Sequence, residues 1–317
     1  MKKPTITIVI PVFNVENVVA ETLLSVKNQI LPPDEVIIID DGSTDNSFSI
    51  INNFRDSHGW KIIQTSNQGL GLTRNFGRSI VNSEYVYFLD SDDIIKSDLI
   101  VRMHEIILQY NRPDMILFSG ESFADDGKNH KKINLKFTLQ GEYLRNNKLI
   151  SKLVKKKETL PQVSRYITKV GLWSKNQLNY PEGIAEDEAV FFPLLALSEI
   201  TVVIPEVYYK YRVGRPGSIT LSSTNPKHAK DYLNRICSTM EFMVLKYDLI
   251  KADLSAWRYR LGRKGLNYIS MCLKTKTSID WVTLLILFYR IKSFSFAFKL
   301  FWRILRHFFS NNNLKTK

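Results

Sequence analysis

The first 120 residues alternate between short apolar runs and stretches of helical spacing. Thr5 to Asn14 (TITIVIPVFN) is an apolar run broken by Pro11, the pattern of a buried parallel strand that runs into a turn. Glu16 to Gln29 has helical spacing, and Pro32 and Pro33 stop it. A second apolar run, EVIIIDDGSTD from Glu35 to Asp45, ends in a turn of Asp, Gly and Ser, with Asp45 placed to cap a helix through Phe54. Trp60 to Thr65 predicts a third strand, Gln68 to Ser83 a loop leading into a helix, and YVYFLDSDD, Tyr85 to Asp93, a fourth strand ending at Asp90. This alternation predicts a doubly wound α/β sheet, in which ligands sit outside the carboxyl ends of the strands. Pro11, Asp40, Asp41, Asp90 and Asp92 all fall at such ends.

The second half is patterned differently. Glu121 to Gln140 is polar and irregular. Glu186, Asp187 and Glu188 precede an apolar, helix-like run. Thr201 to Thr220 opens as two short strands split by Pro205; from Tyr208 on it combines aromatics, three cations (Lys210, Arg212 and Arg215) and a Pro-Gly turn, which reads as a structural hairpin or as a flexible loop. Asn225 to Thr275 predicts two helices. In Trp281 to Phe309, Lys292, Lys299, Arg303 and Arg306 share one sector of a helix plotted at about 100° per residue, with Phe294, Ala297, Phe301, Ile304, Leu305 and Phe308 opposite. Its longest uncharged stretch before Arg290 is short of the roughly 20 apolar residues a membrane span needs, so the pattern predicts a helix lying in a membrane interface; a terminal helix docked on the protein's own core is the other reading.

Charge sharpens this division. The chain carries a formal +13, and the segment from Leu245 to Lys317, with fifteen Lys or Arg and three Asp, holds +12 of it. That asymmetry points to an anionic surface, and no nucleic-acid module is visible. Two cysteines, Cys237 and Cys272, give neither a disulfide framework nor a metal set. The MKKPTITIVI start lacks an apolar leader core and a small-residue cleavage site, so no signal peptide is expected.

The candidate chemistry lies in the acids. Asp90, Asp92 and Asp93 crowd into four positions, where like charges need an offset. Mg²⁺ or Mn²⁺ would provide one, since each takes one or two carboxylates plus substrate phosphates; an acidic turn capping the next helix at Ser97 is the alternative. Asp92 would hold the metal and Arg74 supply a further cation. The acids at Glu186 to Glu188 either complement a helix dipole or carry a base. Neither G-x-G-x-x-G after the first strand nor G-x-x-x-x-G-K-[ST] occurs, which argues against dinucleotide binding and P-loop hydrolysis.

PVFN, IIIDDGSTDNS, NQGLGLTRNFG and YFLDSDD, in this order, resemble the inverting family 2 glycosyltransferases of the GT-A fold over about residues 5 to 120. The resemblance implies a nucleotide-sugar pocket lined by Pro11, Val12, Phe13 and Asn14. It implies that Asp41, with Asp40 beside it, reads the base, usually uracil, that Arg74 lies near the nucleotide, and that Asp90 and Ser91 border the ribose. It implies Asp92 as the metal ligand, Asp187 as the general base with Glu186 shaping the turn, and Arg212, Arg215 and Ser218 as a diphosphate or acceptor loop. The expected organisation is a catalytic domain over 1–222, with a nucleotide-sugar half (1–120) and an acceptor half (121–222), then a helical extension over 223–317 with an amphipathic tail at 279–309. The expected protein binds Mn²⁺ or Mg²⁺ and a nucleoside diphosphate sugar (a UDP-sugar first), and glycosylates a glycan or lipid-linked hydroxyl for a cell-surface polysaccharide. It would sit on the cytoplasmic face of the cell membrane. Two alternatives stand beside it. One is an enzyme that charges a polyprenyl phosphate, which has less need of Asp187; the other is a non-catalytic basic protein that binds membrane or nucleic acid on the same scaffold.

Overall fold

The computed structural model describes residues 3–55, 59–124, 133–144, 147–159, 161–183, 186–215, 231–234, 236–237, 254–291 and 302. The chain divides into two compact units, Met1–Leu221 and Ser222–Lys317.

The first unit is built on nine strands: β1 (Ile6–Val12), β2 (Glu35–Asp40), β3 (Lys61–Gln64), β4 (Tyr85–Phe88), β5 (Ile94–Ile95), β6 (Met115–Phe123), β7 (Gly141–Leu144), β8 (Tyr166–Lys169) and β9 (Ile200–Arg212). They form one sheet in the order β3-β2-β1-β4-β8-β6-β9-β5, with β7 also paired to β9. Its helices are α1 (Val19–Lys27), α2 (Ser47–Asn52), α3 (Leu70–Ser79), α4 (Leu99–Gln109), α5 (Asn147–Lys156), α6 (Val170–Lys175) and α7 (Glu186–Leu197).

β1 to β4 are mutually parallel where they pair, as their continuous apolar runs predict; β1 is buried along its whole length. The doubly wound expectation ends at β4. β8 is antiparallel to both β4 and β6, β9 runs parallel to β6, and β5 and β7 are antiparallel to β9, so the sheet as a whole is mixed. Pro11 lies inside β1 and does not break it. Leu89 N–H donates to Val9 O at 3.0 Å, so odd-numbered residues of β1 face β4, and β4 pairs no further than Val9. The missing N–H of Pro11 therefore falls where β1 has no partner on that side.

β9 is likewise one strand rather than the two expected. Ile204 pairs Phe118 and Val207 pairs the next residue, Ser119, so the ladder slips past Pro205 and Glu206 as a bulge and then continues. α3 packs closely on β1 and β2 because Gly77 has no side chain there; a Cβ would lie 2.5 Å from Val9 Cγ1 and 2.7 Å from Ile39 Cδ1.

In the second unit the described helices are α8 (Leu254–Thr275) and α9 (Trp281–Ile291). α8 falls within Asn225 to Thr275, where two helices are predicted; much of that stretch before it, and the predicted basic stripe from Lys292 to Arg306, lie outside the described residues. Among those described, no helix is long and apolar enough to cross a membrane.

Candidate active site

The carboxyl ends of β1 and β2 are stitched together first. Asn14 takes a left-handed backbone (φ 50°), and its Oδ1 accepts Thr44 N–H at 2.8 Å while its own N–H donates to Ser43 Oγ at 3.1 Å. Val15 N–H donates to Ser47 Oγ at 2.8 Å and Glu16 N–H to Asp45 Oδ2 at 3.1 Å. Asp45 also receives Ser47 N–H at 2.9 Å, but it stands one residue before the N-cap, which is Asn46, so the predicted cap is displaced by one position. Pro11 and Val12 are buried in β1, and Phe13 stands 44% exposed at its mouth.

Asp40 and Asp41 are adjacent and buried, yet differently placed. Asp41 Oδ1 accepts Gln68 N–H (3.0 Å) and Oδ2 accepts Gly69 N–H (2.9 Å), so this carboxylate holds the turn that opens α3. Asp40 Oδ2 accepts Gln64 Nε2–H at 3.0 Å, whereas its Oδ1 is buried with no hydrogen-bond partner. Leaving such an atom unsatisfied costs about 1–3 kcal/mol.

The turn after β4 resolves the crowding of its three acids with protein partners. Asp90 Oδ1 accepts Arg74 Nη2 at 2.6 Å. Asp92 Oδ2 accepts Arg215 Nε at 3.0 Å. Asp93, fully buried, accepts the Tyr209 hydroxyl at 2.5 Å and Arg212 N–H at 2.8 Å. Burial, with Asp92 and Asp90 beside it, pushes the Asp93 carboxyl far up. Burial, then Asp90, also raises Asp92, against the pull of Arg215. Ser91 is buried, and its carbonyl accepts the Thr22 hydroxyl of α1 at 2.9 Å. The acid cluster therefore does not by itself demand a metal.

Arg74 is the centre of the site. Its side chain is 2% exposed; besides Asp90 it binds Glu186 Oε1 through Nη1 at 2.5 Å, and it lies 5.4 Å from the centre of the Tyr180 ring. Burial opposes its charge, and Asp90 and Glu186 more than offset that, so it stays firmly protonated. The rest of α3 clamps the chain that leads toward α7. Asn75 exchanges two hydrogen bonds with the Tyr180 backbone, 2.7 Å to its carbonyl and 2.8 Å from its N–H. Arg78 donates to Leu178 O and Asn179 Oδ1. Gly71 lets Pro181 approach so closely that a Cβ would stand 2.4 Å from Pro181 O.

Glu186 and Asp187 then open α7. Glu186 does more than shape a turn, being the buried partner of Arg74. Asp187 keeps part of its surface accessible and accepts Glu188 N–H at 2.7 Å. Burial, then the charge of Glu186, push its carboxyl up to about 8, with Arg74 opposing. A carboxylate of that basicity suits proton removal near neutral pH.

Two of the three predicted loop residues are placed. Arg212 is buried: it donates to Asp92 O at 2.7 Å and Glu21 Oε2 at 2.9 Å, and lies over the Phe123 ring. It ties β9 to the acidic turn and is not a loop cation. Arg215 lies on Asp92, and Ser218 lies outside the described residues. Sequence reasoning did not single out Asn75, Tyr180 or Gly71. The signal for the first was there, since the polar residues of TRNFGR repeat at helical spacing.

The comparisons agree with this geometry. Residues 7–167 match the profile of Glycosyl transferase family 2. An uncharacterized glycosyltransferase of Haemophilus influenzae is 31% identical over 239 residues, 72% of this chain and 86% of that protein. A poly(ribitol-phosphate) beta-glucosyltransferase of Bacillus spizizenii is 31% identical over 220 residues, 67% of this chain, which spans 33% of that longer protein. The crystal structure of S. aureus TarS 1-349 in complex with UDP-GlcNAc superposes with a TM-score of 0.66 at 22% identity, covering 82% of this chain and 72% of that one, which establishes the GT-A type of mixed α/β fold. Motifs, strand order and relatives therefore converge: the chain belongs to glycosyl transferase family 2 and is a glycosyltransferase.

Proposed function

We propose that this chain is a metal-dependent inverting glycosyltransferase that moves a sugar from a nucleoside diphosphate sugar, UDP-linked by preference, to a hydroxyl of a glycan or lipid-linked acceptor during synthesis of a cell-surface polymer. The observation that carries the reading is the buried Arg74, which binds Asp90 with one nitrogen and Glu186 with the other. It ties the strand ends that would hold the donor to the helix start that carries Asp187. The donor class is supported by the UDP-GlcNAc and UDP complexes of TarS, and the acceptor class by relatives named as poly(ribitol-phosphate) glycosyltransferases.

In this reading Asp187 accepts the proton of the acceptor hydroxyl. The oxygen forms its bond to the anomeric carbon from the face opposite the diphosphate as the bond to the diphosphate breaks, and the configuration inverts. Asp41, with Asp40 beside it at the end of β2, would read the base. Asp92 fits Mn²⁺ or Mg²⁺ in one specific way. No group of three or more His, Cys, Asp or Glu suited to a metal exists among the described residues. A cation there would rest on this one carboxylate and draw its remaining oxygens from substrate phosphates and water. When bound, it would offset charge on the departing diphosphate. Arg215 holds the same carboxylate and would have to yield to it.

The test is donor turnover by the purified chain with UDP-glucose and UDP-GlcNAc, a ribitol-phosphate polymer as acceptor, and Mn²⁺ present or absent. Turnover lost in Asp187→Asn supports the reading. An Asp187→Asn enzyme that works on a polyprenyl phosphate as fast as the parent would favour the phosphate-acceptor alternative. No turnover and no binding of any nucleoside diphosphate by well-folded protein would sink both.

A further inference from the structure

Among the described side chains of α9, one apolar residue is buried and five are exposed. Leu284 is buried, 1% exposed. The start of the helix is fastened to α8, with Asp280 N–H donating to the Tyr268 hydroxyl at 2.9 Å, and it is capped by Asp280, whose carboxylate accepts Thr283 N–H and Oγ–H. On the other side Trp281 (43% exposed), Val282 (69%), Leu285 (61%), Ile286 (48%) and Tyr289 (77%) face out. At about 100° per residue these five fall within a sector of roughly 140°, and Leu284 lies away from it. Singly exposed apolar residues are ordinary, but a contiguous stripe marks an interaction surface.

Charge selects the occupant. After Asp280 the chain has no Asp or Glu, and seven Lys or Arg follow, from Arg290 to Lys317. A second copy would set this excess against itself, whereas anionic lipid headgroups complement it. Eleven residues at about 1.5 Å each reach roughly 16 Å, half of a hydrocarbon core, so the helix can lie in the interface and cannot cross it. Trp281 and Tyr289, at the two ends of the stripe, are the aromatic types that favour headgroup depth. We propose that the Trp281–Tyr289 face of α9 seats in the surface of an anionic lipid bilayer, in the plane of the interface. This would bring the enzyme to a membrane surface.

The experiment uses the full chain without any donor, so its result is independent of the transferase assay. The protein is floated with phosphatidylcholine vesicles and with phosphatidylcholine–phosphatidylglycerol vesicles. Wild type should float with the anionic vesicles. Val282→Ser, Leu285→Ser and Ile286→Ser combined should lose about tenfold or more in partitioning, from the apolar area withdrawn. These side chains are exposed, so the melting temperature should not move. Leu285→Arg should also weaken binding although it adds a cation. A triple variant that floats like wild type, or a Leu285→Arg chain that floats better, overturns the proposal and leaves attachment to charge alone. Wild type that floats with neither vesicle overturns it too, as does a dimer that the triple variant dissolves.

Discussion

Two clusters of three acids, Asp90–Asp93 after β4 and Glu186–Glu188 at the start of α7, look alike in sequence and differ in how the fold treats them. In the first, each acid has its own protein partner: Arg74 for Asp90, Arg215 for Asp92, and the Tyr209 hydroxyl with Arg212 N–H for Asp93. In the second, Arg74 reaches Glu186, and Asp187 has no directly bound cation among the described residues. Similar local crowding is therefore met by different partners, and the placement of cations tells the two clusters apart. Burial raises Asp92 and Asp93 as well, and there the partners fix each carboxylate in place. Asp187, the proposed base, has its proton affinity raised by burial and Glu186, and the charge of Arg74 offsets only part of that rise.

The sharpest way to break this contrast is Asp187→Asn. It should lower kcat by about 10²–10⁴-fold with donor binding retained, read as nucleoside diphosphate release against a binding titration. Arg74→Met comes next. It strands Asp90 and Glu186 and should destabilise the fold by about 3–5 kcal/mol, measured by urea unfolding. Arg74→Lys should recover part of that loss, with the pH profile displaced to higher pH because a lysine cannot serve both acids as the guanidinium does. A full recovery would mean that the bridge is not what links the clusters.

Smaller effects refine the picture. Gly71→Ala drives a methyl against Pro181 O and should cost about 1–3 kcal/mol while lowering kcat more than it raises donor KM, since the clamp that places α7 shifts. The wild-type rate should rise about tenfold per pH unit as Asp187 loses its proton and level off near pH 8. Stability has the opposite sign. The folded chain holds this proton up to about pH 8, whereas an unfolded Asp releases it near pH 4, so this group's contribution falls as pH rises through that window. The smallest effect is expected from Arg215→Ala, with under about 1 kcal/mol of stability lost and half-maximal activity at a lower Mn²⁺ concentration, because the ion no longer competes for Asp92.

Much of the donor half was legible in the chain. Apolar runs ending in Asp40 and after Phe88 predict parallel strands whose ends carry acids, and β1, β2 and β4 have that form. The second half was less so. β8 is a four-residue strand, YITK, too short to show a period, yet it lies between β4 and β6 and turns the sheet from parallel to mixed. Pro205 read as a break because its missing N–H ends a ladder on paper; in the fold the partner strand slips and the strand continues.

By itself the sequence determined where carboxylates would stand, because a strand's apolar period and the residue that ends it are local properties, and it determined that the excess positive charge gathers in the last 73 residues. Only the tertiary structure decided which cation each acid would meet. Arg74 and Glu186 are 112 positions apart, and Asp92 and Arg215 are 123 apart. No local pattern couples residues at that separation; packing α3 against the segment that leads into α7, and β9 into the sheet, brings them together. Acids of one residue type thus meet different partners through contacts that the linear order does not contain.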